Sequence, residues 1–197
     1  MEIWLSGAAI IIAIGNAVYT YFHNRGTKAS QIRLNALEEC YKTQISINRT
    51  NNDVITQRSN KNIVEGKIQF LFEHFSYQAE LFIKHNLPAP PTLEDDIKRT
   101  GKYMKFFKEL DSTFIKMKAE IIDYENEVEK IRTSNKYSER HIARLLEIRT
   151  RTDRYSDSLE RTERELNIIK EGTVIMEKRM LDLLFDIKKN IVENVKE

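Results

Sequence analysis

His74 and His85 are the first place to look for metal chemistry, because eleven residues bring two side chains back to nearly one face of a helix. A metal site there needs further ligands from elsewhere in the chain, and the plainer alternative is a pair of ordinary surface or core histidines. Di-iron helix bundles use a Glu followed three residues later by a His, and no Glu stands at that spacing before any of the four histidines. Cys40 is the one cysteine, so neither an intrachain disulfide nor a cysteine-rich metal site can form. The six glycines, Gly7, Gly15, Gly26, Gly66, Gly101 and Gly172, are isolated, and no phosphate-cradling loop is spelled. No nucleophile and base can be paired from their spacing. The expectation is a protein without enzymatic activity, cofactor or metal. Asn48, Arg49 and Thr50 spell a glycosylation sequon, a pattern short enough to arise by chance.

Charge offers one further candidate. Between residues 98 and 118, Lys98, Arg99, Lys102, Lys105, Lys108, Lys116 and Lys118 are opposed only by Glu109 and Asp111. Lys98, Lys102, Lys105 and Lys116 fall on one helical face, opposite an apolar seam. Such a face could meet anionic lipid or nucleic acid; more often it is the solvated side of a bundle helix. Over the whole chain 32 cations meet 30 anions, a net charge of +2. That balance argues against nucleic acid as a partner.

The elements that would position these groups are helical. Six Gly and three Pro in 197 residues, with 31% charged residues, favour long helices over a turn-rich β fold. From Ile3 to Phe22 no side chain is charged, and twenty helical residues reach about 30 Å, the thickness of a bilayer's hydrocarbon core. This predicts a transmembrane helix over 3–22. A cleaved signal peptide is the competitor, but the run is long and preceded by Met-Glu rather than by cations. Arg25, Lys28 and Arg33 follow the span, so the positive-inside rule places the body in the cytoplasm of a single-pass inner- or plasma-membrane protein. Ala9, Ala13 and Ala17 lie along one stripe with Asn16 beside it, a pattern that favours close association of membrane helices, although small residues are common in any such helix.

Residues 28–86 are expected to form a helical stalk. Its apolar stripe is thin from Ser46 to Asn62 and returns from Ile68 to Ile83. The proline-rich stretch 87–91 must break it. Thr92, followed by Glu94, Asp95 and Asp96, is a good helix start. A seam from Tyr103 through Phe107, Leu110, Phe114, Met117, Ile121, Tyr124 and Val128 to Ile131 steps by four and three, as in a coiled coil. Residues 133–138 read as a turn, and a second seam runs from Ile148 to Ile187 over 139–197. If the turn reverses the chain, residues whose numbers sum to 272 or 273 face each other, so that Phe114 meets Leu159 and Met117 meets Tyr155. The acidic segment 119–129 then faces the arginine-rich segment 140–154, which sets pairing more than stability.

The predicted fold is all-α: an N-terminal transmembrane helix, a long helical stalk and an antiparallel coiled-coil hairpin of helices 92–132 and 139–197. In that hairpin, residues 181–197 overhang. They carry Leu184, Phe185, Ile187, Ile191 and Val195, too much apolar surface to leave wet, so they should dock on another copy or a protein partner unless the first body helix covers them.

The uncharged span followed by Gly26, Thr27, Lys28 and Ala29, with a heptad-like start at Leu34, Leu37 and Glu38, resembles small single-pass coiled-coil proteins of unknown function from Mu-like phages. The resemblance covers residues up to about 45 and brings no site residues. It implies an anchored coiled coil, and three functions compete. One is a self-associating scaffold or tether, another the inner-membrane component of a phage lysis (spanin-type) pair with a periplasmic body, and the third a helical pore-forming protein.

Overall fold

The computed structural model describes the backbone of residues 2–194 and the side chains of residues 16–192. Three α-helices account for nearly all of it: α1 (Glu2–Lys84), α2 (Pro91–Arg132) and α3 (Glu139–Asn194). The all-α class expected from composition holds, and no strand occurs among the described residues.

Local chemistry explains where each helix stops. At the end of α1, Asn86 adopts a left-handed φ of 53°, the Leu87 N–H donates to the Phe82 carbonyl (2.9 Å) and the Asn86 N–H to the Ile83 carbonyl (3.2 Å). These are the two bonds of a Schellman cap, with Asn taking the left-handed position usually given to Gly. Pro91 then opens α2, one residue ahead of the expected Thr92 start, because a first-turn proline has no N–H to waste. Between α2 and α3, the Tyr137 hydroxyl donates to the Arg132 carbonyl (2.7 Å) and Ser138 caps α3 by accepting from the His141 N–H (3.4 Å).

The chain divides into two compact units, Met1–Asn48 with Ile122–Thr152, and Arg49–Ile121 with Asp153–Glu197. In the first, Ala36, Cys40 and Ile47 of α1 are buried, as are Tyr124, Val128 and Ile131 of α2 and Leu145 and Ile148 of α3. The Thr43 hydroxyl donates to the Leu145 carbonyl (3.2 Å) and Ser46 bonds Thr152 (2.7 Å), so α1 and α3 run side by side in the same direction.

In the second unit, Phe75, Phe107 and Phe114 are fully buried together with Ile68, Leu71, Leu93, Ile121 and Leu159. Each such side chain contributes roughly 1.5–3 kcal/mol of transfer free energy. Thr50–Ser156 (3.1 Å) and the Gln78 amide donating to the Met180 carbonyl (2.8 Å) again set α1 alongside α3, while Lys61–Asp111 sets α2 against α1 in the opposite sense.

The stalk expectation is therefore corrected. Residues 36–82 of α1 carry an unbroken series of buried positions and supply the third helix of each unit, so the hairpin does not stand alone. The hairpin itself has the expected antiparallel sense: Glu127–Arg144, Glu120–Tyr155 and Asp96–Arg179 sum to between 271 and 275. The Tyr155 hydroxyl bonds Glu120, three residues from the expected partner Met117 on the same helix.

Among the described residues no helix is long and apolar enough to cross a membrane. The side chains up to residue 15, most of the expected span, lie outside those described, although the backbone is helical from Glu2 onward without a break at Gly26.

Candidate functional site

The densest polar chemistry is buried, on core positions of α1. Thr43, Thr50, Gln57, Lys61 and Gln78 occupy the same three-and-four series as Ile47, Val54, Val64 and Ile68, and each is at most 6% exposed. Lys61 is 1% exposed, and its ammonium donates to Glu65 (2.6 Å) within α1 and to Asp111 (2.5 Å) on α2. Burial works against its charge, but the hydrogen bonds from the two carboxylates prevail and hold its pKa above the ordinary lysine value. The site keeps a permanent ion triad where an apolar residue would also fit.

About four helical turns away in the same unit, Asp96 is fully buried, accepts from Arg179 through Oδ1 (2.9 Å) and leaves Oδ2 without a hydrogen-bond partner. Gln78 leaves its Oε1 likewise unpaired. In the first unit, Arg144 is held in a fork by both Glu127 oxygens (2.7 and 2.8 Å) and also donates to Glu147 (2.7 Å). That fork keeps the Glu127 carboxyl below, and the Arg144 guanidinium above, its usual range.

None of these groups presents a nucleophile to a base beside an open cleft. They are the arrangement expected of residues that choose which helix pairs with which, and in what register. Thr50, Gln57 and Lys61 escape a reading that counts only apolar residues along Ser46 to Asn62; admitting polar residues at the three-and-four spacing finds all three.

The expected site residues are scattered. His74 stacks on Phe70 (ring centroids 4.0 Å apart) with its Nδ1 at 3.1 Å from the Phe70 carbonyl, and His85 is exposed past the end of α1. No cluster of three or more metal-ligating side chains occurs among the described residues. Cys40 is buried, and that burial pushes its thiol pKa up, away from reactivity. Lys98 pairs with Glu94 (2.6 Å), while Lys102, Lys105 and Lys116 are exposed along α2.

Of the span's association stripe, Asn16 and Ala17 are exposed, and the side chains of Ala9 and Ala13 lie outside the described residues. Of the C-terminal partner surface, Phe185 is 70% exposed and Leu184 and Ile191 are half-buried. Ile187, by contrast, is 3% exposed, buried in the core of its own unit. Val195 lies outside the described residues.

The chain matches no family model, no curated protein and no solved structure.

Proposed function

We propose that this protein is a membrane-anchored, self-associating helical scaffold or tether without enzymatic activity. The observation that carries the reading is the continuity of α1, which runs from Glu2 through the uncharged segment Ile3–Phe22 and on to Lys84. The helix that would lie in the bilayer is the same helix that builds the bundle, with no linker between the two. Supporting it, the buried polar groups serve register rather than reaction, and large apolar side chains remain at the surface of a bundle whose core is already filled. The cations Arg25, Lys28 and Arg33 just past the span favour a cytoplasmic body in an inner or plasma membrane.

Alkaline carbonate extraction of membranes tests the anchor. The full chain is expected in the pellet and a chain lacking residues 2–22 in the supernatant; release of the full chain by carbonate refutes the anchor.

A further inference from the structure

In the second unit α1 and α3 run in parallel, and large apolar side chains stand exposed along both. On α1 these are Ile63, Phe70 and Tyr77, each seven residues from the next and 60%, 47% and 56% exposed. On α3 they are Val174, Leu181 and Phe185, spaced seven and four apart and 61%, 60% and 70% exposed. Gln78–Met180 and Thr50–Ser156 fix the offset between the two helices at 102 to 106 residues, which sets Phe70 level with Val174 and Tyr77 level with Leu181. Lys67 of α1 and Glu177 of α3 pair at 3.7 Å, and farther along the same two helices Leu81 and Leu184 are half-buried. The register brings the two rows together as a two-sided apolar groove, with a seven-residue repeat along α1 and steps of seven and four along α3, the kind of surface a further pair of helices packs into.

We propose that this groove is where the protein self-associates, and that its occupant is the same groove of a second copy, the two chains running in the same direction about a two-fold axis parallel to the helices. The inference rests on the self-associating reading and names the surface that performs it. In this arrangement α1 of each copy lies on α3 of the other.

Charge supports both the occupant and the direction. On the outer edge of α1 exposed Glu73 lies level with exposed Lys178 on that of α3, so in this arrangement the carboxylate of each copy meets the ammonium of the other. Area supports it too. Six side chains of this size, about half exposed, offer on the order of 600 Å² per copy, and two copies reach the roughly 1,200 Å² at which stable interfaces begin.

The full chain in detergent, with its mass measured across a dilution series, tests this. The wild type is expected as a dimer. Tyr77→Glu with Leu181→Glu should weaken it more than about tenfold while leaving helical circular dichroism unchanged. Ile115→Glu, at a position 60% exposed on α2, should leave it a dimer.

Direction is tested by charge reversal. A chain with Glu73→Lys, and another with Lys178→Glu, should each dimerise more poorly alone than when mixed with one another. A monomeric wild type overturns both the groove and the self-associating reading. A dimer unaffected by the glutamate pair overturns the groove alone, and failure of the mixed chains to pair better than either alone overturns the parallel arrangement.

Discussion

Lys61 shows why one residue can matter here without doing chemistry. Its ammonium is the buried member of the triad, whereas Glu65 and Asp111 are 25% and 36% exposed at their side chains and can be rehydrated. Lys61→Met is therefore expected to cost little or to stabilise, because it removes a buried charge and keeps the volume. Glu65→Ala with Asp111→Ala strands the charge, and should cost on the order of 3 kcal/mol or more in urea unfolding. Equal losses from both changes would show that packing alone sets this site.

Glu127 adds a pH dependence in the first unit. Its folded pKa is depressed by the Arg144 fork, so its contribution is present above the unfolded carboxylate value of 4.5 and fades as pH falls through the folded value. The acid limb of a stability profile should flatten in Glu127→Gln. Lys61 has the opposite sign: its raised pKa contributes below 10.5 and is lost only as alkali climbs through the folded value.

At the scale of elements, helix interiors carry glycines that nothing requires. A Cβ built at Gly66, Gly101 or Gly172 meets nothing within 4 Å, and none of the three adopts positive φ. Alanine at Gly101 and Gly172 should each stabilise by roughly 0.5–1 kcal/mol, read as a rise in thermal midpoint. Asn86 is the contrasting case, because its φ of 53° is one that β-branched residues resist. Asn86→Val should destabilise by on the order of 1 kcal/mol, and Asn86→Gly should not.

Helix class, both turns and the antiparallel hairpin could be read from prolines, seams and polar gaps. The role of α1 could not be read from its apolar residues alone. Thr50, Gln57 and Lys61 hide a continuous core face whose partners are supplied by helices distant in sequence. The exposed apolar surface was half legible: Leu184 and Phe185 stood out as surplus, whereas Phe70 and Tyr77, off the three-and-four series of the stripe over 68–83, did not stand out.

For the molecule as a whole, orientation is the property most open to test. If Arg25, Lys28 and Arg33 hold the body in the cytoplasm, replacing all three with Gln should leave a C-terminal reporter divided between the two sides of the membrane. A uniformly periplasmic reporter on the unaltered chain would instead fit the lysis-pair alternative. Composition said little about either outcome, since near-neutral charge is compatible with both.

The unbroken path of α1 through Gly26 also makes the first unit a mechanical device. With no hinge between Phe22 and the buried seam that begins at Ala36, the azimuth of the uncharged segment is locked to that of the seam. One residue inserted at 26 would twist one against the other by about 100° and displace them by 1.5 Å; seven would bring them back nearly into phase. Any property that couples the two ends of this stretch should therefore oscillate with insertion length at the period of the helix, rather than decay with it.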